Sequence, residues 1–162
     1  MQVSFRRLCE SVREAVHDAG NAVAARGQSL VVSTPTQPLW IDGDPTRLQQ
    51  VLSNLIGNAI KYSNSGGEIL VCAEPSVSGV SLRVSDTGRG LEPDALRHIF
   101  DPFSQVRPAE ETGLGIGLSV VKEIVERHQG RIEVRSDGAG RGTSFIITLP
   151  ARMGSRLPAL PN

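Results

Sequence analysis

The sequence predicts an α+β fold, a two-layer α/β sandwich whose mixed, mainly antiparallel sheet carries about three main helices on one face. Three observations point there. Residues 4–25 and 44–62 hold apolar side chains at helical spacing. Short runs rich in valine, isoleucine and leucine at 69–73, 82–85, 132–135 and 144–149 form pairs around turn-forming glycine, serine and proline. Helices and hairpins are segregated along the chain, without the strict alternation of a doubly wound parallel sheet.

Phe5, Leu8, Val12, Ala15, Val16, Ala19 and Val23 line one face of the first helix, which spans 4–25 and closes near Gly27. Leu30-Val31-Val32 and Leu39-Trp40-Ile41 flank a break at Pro35 and Pro38, and are expected to be two short strands paired with each other. Asp44 is a capping residue and Pro45 suits a first helical position, so a second helix runs from there to about Tyr62. Ile69–Ala73 and Leu82–Ser85 are strands around a turn at 75–79, and Pro93 opens a short helix over Glu92–Phe100. A glycine-rich stretch leads into helix Leu118–His128, which stops at Gly130. Ile132–Arg135 and Ser144–Leu149 then make a hairpin across Asp137–Gly142. Residues 1–150 are expected to be one domain, with 151–162 a proline-rich tail or linker.

Composition narrows the partners. The chain has 162 residues, enough for one domain that buries about two-thirds of its unfolded surface. Its 17 basic and 17 acidic residues cancel, so no global field draws it to nucleic acid or to anionic lipid. Cys9 and Cys72 are too few and too isolated for a disulfide framework or a zinc site, and reduced thiols in the cytosol are the expectation. No apolar run approaches the ~20 residues of a membrane helix, so no direct membrane contact is expected, although a parent protein could still be anchored.

The chemistry lies in three constellations. On the helix 44–62, Arg47, Asn54, Asn58 and Lys61 fall within an arc of roughly 60° at ~100° per residue, opposite a broad apolar face. Alone, the stripe reads first as the solvated edge of an amphipathic helix. Asparagine is a mediocre helix former, however, and two of them one turn apart cost stability that a ligand would explain. Asp86-Thr87-Gly88-Arg89-Gly90 puts a carboxylate at a strand end, followed by two residues without side chains. That suits the amino edge of a flat base, or simply an Asx-type turn.

Gly113-Leu114-Gly115-Ile116-Gly117-Leu118 runs straight into a helix, whose free N–H groups and positive end favour phosphate; a flexible hinge is the alternative. The spacing matches neither the dinucleotide fingerprint nor the P-loop. Phe100-Asp101-Pro102-Phe103 precedes it, with both rings expected to anchor the segment 104–112.

Taken in order, RLQQVLSNLIGNAIKYS, DTGRG, FDPF, GLGIGL and GRGTSF resemble the N, G1, F, G2 and final glycine boxes of the histidine kinase catalytic and ATP-binding (CA, HATPase_c) domain, over residues 42–149. The resemblance implies the Bergerat-type nucleotide fold that histidine kinases share with gyrase, the ninety-kilodalton heat-shock chaperone and mismatch-repair ATPases, the GHKL superfamily. It implies ATP and Mg2+ as cofactors, with the Asn58 amide oxygen on the metal and Lys61 on phosphate. Tyr62 would lie against adenine, and Asp86, supported by Gly88 and Gly90, would read the base. Backbone amides of Gly113, Leu114, Gly115, Ile116, Gly117 and Leu118 would hold the phosphates, with Thr143 near the base pocket.

Asn54 separates branches of that superfamily. Its ATPases carry a glutamate at the matching place as base for water, and an amide cannot accept that proton. Hydrolysis is therefore disfavoured against transfer to an imidazole, which is itself the nucleophile. Three departures from the family pattern stand out: a short lid at 104–112, Thr112 where a glycine often stands, and Glu110-Glu111 near the phosphates. Arg107 is the lid's candidate γ-phosphate contact.

His17, His98 and His128 lack the surroundings of the family's phosphoacceptor, so the substrate histidine is expected on a dimerisation and phosphotransfer domain outside this chain. The resemblance then implies a homodimeric parent kinase, a monomeric isolated domain, and relay to a response regulator receiver domain. A nucleotide-responsive interaction module with little catalysis, and an ATPase of the gyrase type, are the alternatives.

Overall fold

The computed structural model describes residues 4–104 and 116–151, the first four by their backbone alone. The elements in chain order are β1 (Ser4–Arg7), α1 (Leu8–Ala25), β2 (Ser29–Ser33), β3 (Trp40–Gly43), α2 (Pro45–Tyr62), β4 (Glu68–Ser76), β5 (Gly79–Asp86), α3 (Pro93–His98), α4 (Gly117–Arg127), β6 (Arg131–Arg135) and β7 (Thr143–Leu149). A five-stranded sheet runs in the order β2-β4-β5-β7-β6, and a separate two-stranded one joins β1 to β3. Only β2–β4 is parallel; the other pairs of the large sheet are antiparallel.

Two sequence expectations are corrected. The first helix begins at Leu8, because Ser4–Arg7 is a strand whose partner is β3, in a register running from Ser4 opposite Gly43 to Arg7 opposite Trp40. β3 stands outside the large sheet, and this pairing gives its backbone groups their ladder partners. Nor do the segments around Leu30 and Trp40 pair with each other: β2 runs parallel to β4, with Leu30 opposite Ile69. A parallel pair needs a long crossover, and the chain between β2 and β4 supplies one that contains α2. A third expectation fails in part. Phe100 does anchor, its ring edge-on to Phe145 at 6.2 Å, but Phe103 is 73% exposed. Its φ of 62° turns the backbone through the left-handed region just after the bend at Asp101.

One core unites the layers. Leu8, Val12 and Ala15 of α1, Leu48, Val51, Leu52, Leu55, Ile56 and Ala59 of α2, and Val121, Ile124 and Val125 of α4 pack with the inward residues of β4, β5 and β7. On β5 these are Val80, Leu82 and Val84, and on β7 Phe145, Ile147 and Leu149, the alternation of a sheet with one covered face. Helix α2 sits centrally, touching α1, α4, β4 and β5. Its start is fixed by Asp44, whose Oδ1 accepts from the Thr46 and Arg47 N–H groups at 2.9 and 3.3 Å. At the far edge, Ala151 bridges Ile41, one residue past the expected domain end.

His128 closes α4 and is 7% exposed. Its Nδ1–H donates to the Ile124 carbonyl at 2.8 Å, while its Nε2 accepts from the Asp44 N–H at 3.0 Å. Those two bonds assign the tautomer and tie the end of α4 to the start of α2. We expect His128→Ala to lower unfolding free energy by about 2 kcal/mol, since it strands the Asp44 N–H and leaves the Ile124 carbonyl with the backbone N–H of residue 128 alone. Urea unfolding followed by circular dichroism measures this, and an unchanged midpoint would contradict the structural role.

Candidate functional site

The polar stripe of α2 survives in three dimensions. Asn54, Asn58 and Lys61 are all half-buried beside the fully packed Leu55 and Ala59. Asn54 reaches the start of α4, donating from Nδ2 to the Gly117 carbonyl at 3.4 Å. At that start, Ile116 is the N-cap and contributes no side-chain cap; Ser119 Oγ instead donates to the Ile116 carbonyl at 2.8 Å. The first N–H groups of α4 are thus left for another acceptor, and they are the positive end of an eleven-residue helix.

At the other end of α2, the Tyr62 ring is flanked by two cations. The Arg89 guanidinium lies 4.1 Å from the ring centroid and the Lys61 ammonium 5.0 Å. The main chain joins the same two segments, because the Arg89 N–H donates to the Tyr62 carbonyl at 3.2 Å.

Asp86 ends β5 directly opposite Thr143, the first residue of β7. Its carboxylate accepts from the Gly88 N–H at 2.8 Å and from the Thr143 N–H. Burial nevertheless raises its pKa above the ordinary 3.8, and those two N–H groups and the nearby Arg89 only partly offset the desolvation. Gly88 is obligatory here: a Cβ would run into the Tyr62 carbonyl and lie 2.8 Å from Asp86 Oδ1. Gly90, at φ 66°, is similarly closed in by the Gly138 carbonyl.

The loop after β5 is sewn to the β6–β7 turn. The Gly142 N–H donates to the Gly88 carbonyl at 3.1 Å, and the Gly140 N–H to that of Arg89 at 2.7 Å. Ser136 completes the seam, accepting from the Leu91 N–H at 2.9 Å and donating to the Gly142 carbonyl at 2.7 Å.

Of the residues singled out in the sequence, Asn54, Asn58, Lys61 and Tyr62 share α2; Asp86, Gly88, Gly90 and Thr143 meet at the β5–β7 end; and Gly117 and Leu118 open α4. Gly113, Leu114 and Gly115, with Arg107, Glu110, Glu111 and Thr112, lie outside the described residues. Sequence reasoning missed Arg89 as a partner of Tyr62. It also missed Ser136, whose position just before Asp137-Gly138 was a turn signal open to reading.

Comparison with known proteins identifies the family. The family model described as histidine kinase-, DNA gyrase B-, and HSP90-like ATPase matches residues 43–153. The chain therefore belongs to that family, as a catalytic ATP-binding domain of the histidine kinase type. It is 39% identical over 151 residues to the adaptive-response sensory kinase SasA of Synechococcus elongatus, a match covering 92% of this chain and 38% of that protein. This chain thus spans under two-fifths of that sensor kinase. The nucleotide-free catalytic domain of histidine kinase ThkA superposes with a TM-score of 0.83 at 27% identity, over 93% of this chain and 98% of its own. Full-length ShkA in complex with AMPPNP gives 0.82 at 27% identity, over 93% of this chain and 31% of its own. Among the described residues no helix is long and apolar enough to cross a membrane.

The raised pKa of Asp86 has a signed consequence. Between 3.8 and its folded value the native state holds more protons than the unfolded one, so this carboxylate erodes stability as pH rises through that window and has no further effect above it. Asp86→Asn removes that proton. The stability of wild type relative to Asp86→Asn is expected to fall from pH 3.8 upward and then level off, measured by urea unfolding at closely spaced pH values. A difference that is flat, or that rises with pH, would contradict it.

Proposed function

We propose that this domain binds ATP with Mg2+ and transfers the γ-phosphoryl group to a histidine on a dimerisation and phosphotransfer domain outside the chain. The phosphohistidine would then supply a receiver aspartate of a response regulator, and the parent would be a homodimeric sensor kinase. The observation that carries this reading is the pair of half-buried amides, Asn54 and Asn58, on a core helix whose polar face meets the uncapped start of α4. Asn58 makes no side-chain hydrogen bond among the described residues, which leaves its oxygen and nitrogen for a ligand.

The donor set fits Mg2+. Among the described residues no group of three or more His, Cys, Asp or Glu side chains is placed to hold a metal, and Mg2+ suits a site built from phosphate oxygens, water and one amide oxygen. Asn58 would hold it, and the ion when bound neutralises phosphate charge. The protein's own part is positioning and electrostatics: N–H groups of Gly117 and Leu118, with those of 113–116, receive the phosphates, and Lys61 adds a cation. Asp86 accepts from the amino group of adenine while Tyr62 offers its ring. Asn54 cannot take a proton from water, which favours transfer over hydrolysis.

None of the three histidines suits the acceptor role. His128 is buried in its two bonds, His98 pairs with Asp101 at 2.9 Å, and His17, although followed by Asp18, sits on the exposed face of α1 with Val23 where the family's arginine would stand six positions on.

Calorimetric titration of ATP with and without Mg2+, against wild type and Asp86→Asn, tests the pocket. Mg-dependent binding that the substitution removes is expected; absence of binding at millimolar nucleotide would overturn the pocket. In a transfer assay with a supplied phosphotransfer domain, Asn58→Ala is expected to abolish phosphohistidine formation while changing stability by no more than about 0.5 kcal/mol. Normal transfer by that variant would sink the metal assignment.

A further inference from the structure

The last turn of α2 lacks the glycine that ordinarily ends a helix. Its C-cap, Ser63, is extended at φ −80° and ψ 149°, so no left-handed turn folds back to satisfy the final carbonyls. They are satisfied from elsewhere in the chain. The Ala59 carbonyl accepts from the Ser63 N–H at 3.0 Å, and that of Tyr62 from Arg89 in the loop after β5. The Ile60 carbonyl receives a side chain: Gln28, 32 residues earlier, donates from Nε2 at 3.0 Å.

The same Gln28 nitrogen lies 3.3 Å from the Ser63 carbonyl and 3.4 Å from that of Asn64. Three carbonyl oxygens around one terminal atom identify it as the nitrogen of the amide. Gln28 is only 8% exposed, and its Oε1 is buried without a partner, so the residue is held there for its donor end. Its neighbours reinforce the clamp. Arg26 donates to the Ser63 carbonyl at 3.0 Å, and its own carbonyl accepts from the Gly66 N–H at 3.2 Å. The Ser29 N–H bonds the Gly67 carbonyl at 2.9 Å.

We infer that Gln28 is a positioning residue for the nucleotide site. Its hydrogen bonds reach backbone carbonyls only, but through that of Ile60 it holds the turn that carries Lys61 and Tyr62, while the Arg89 N–H holds the Tyr62 carbonyl. The final turn is thereby pinned between the α1–β2 connection and the loop that bears Asp86. With the Gln28 donor gone, the part-buried Ile60 carbonyl loses its partner, and on the α1–β2 side only Arg26, bonded beyond the helix end to the Ser63 carbonyl, still holds the turn. The Tyr62 ring then changes its setting against Arg89, and nucleotide affinity falls. The inference rests on the proposed nucleotide site.

The test uses Gln28→Glu, which keeps size but replaces the donor by an acceptor facing three carbonyls. Gln28→Met removes the donor without adding charge and serves if the first variant does not fold. Gln28→Lys restores a donor at the negative end of the helix. Because the chain has a single tyrosine, the ring signals of Tyr62 in an NMR spectrum of tyrosine-labelled protein are unambiguous. A remote destabilising variant, Ile132→Ala on the edge strand β6, controls for loss of stability alone.

The expected result is about tenfold weaker Mg-ATP binding by calorimetry for Gln28→Glu and Gln28→Met, or about 1.4 kcal/mol, with displaced Tyr62 ring signals. Gln28→Lys should recover most of both, and Ile132→Ala should match wild type in affinity and in the tyrosine spectrum. Wild-type affinity and unmoved Tyr62 signals in the Glu and Met variants, while Asp86→Asn loses binding, would overturn the role of Gln28 and leave the site intact. If Asp86→Asn also binds normally, the site reading itself is wrong. A loss of affinity equalled by Ile132→Ala reduces Gln28 to a stability residue and overturns the proposal as well.

Discussion

The burial of α2 is the constraint on which the rest of the structure depends. Leu48, Val51, Leu52, Leu55, Ile56 and Ala59 are all buried, and the helix touches α1, α4 and two strands of the sheet at once. Each large side chain so buried contributes about 1.5–3 kcal/mol, and together they outweigh the weak helix propensity of Asn54 and Asn58. The same packing sets the direction of the polar stripe. A helix whose apolar face is committed to a core cannot rotate, so the two amides and Lys61 are aimed by residues that never meet a ligand. Precision at the site is a by-product of close packing behind it.

The two halves of the site are built differently. The Asp86 side, where the proposed reading puts the base, is a seam of backbone hydrogen bonds: Gly88 to Gly142, Arg89 to Gly140 and to Tyr62, with Ser136 bridging Leu91 and Gly142. Glycine is required where the seam is tightest, since a Cβ on Gly88 or Gly90 would collide with a carbonyl. The α4 side, where the proposed reading puts the phosphates, rests on the first N–H groups of that helix, which have a direction and a dipole but no side-chain cap among the described residues. A flat base rewards a rigid slot, whereas a phosphate chain rewards donors left without an internal partner.

Most of the fold was legible in the sequence, for physical reasons that differ by element. Helix α2 was readable because cap, proline and apolar period all agreed, as they do at Asp44, Pro45 and Leu48 through Ala59. The hairpins β4–β5 and β6–β7 announced themselves through alternation and turn residues. What stayed hidden was long-range choice. Nothing local to Ser4–Arg7 says that β3 will recruit it, and two prolines between β2 and β3 suggested a turn where the chain instead leaves one sheet for another. Within the site, the motif residues were found, while Gln28 and Arg89 were not. Their roles depend on carbonyls and rings that come near them only once the chain is folded.

Arg89 shows how one side chain can serve both Asp86 and Tyr62. Its charge lies close enough to Asp86 to favour the ionised carboxylate against desolvation, and its guanidinium lies over the Tyr62 ring at 4.1 Å. A lysine would retain the first contribution but not the second, because an ammonium is a compact charge without a stacking surface. Its backbone N–H, spent on the Tyr62 carbonyl, fixes the distance between the two residues that the side chain serves. The Asp86 carboxylate and the Tyr62 ring are thus held in register by one residue. Burial alone would push Asp86 toward its neutral form, and Arg89 opposes that shift while occupying part of the space around the ring.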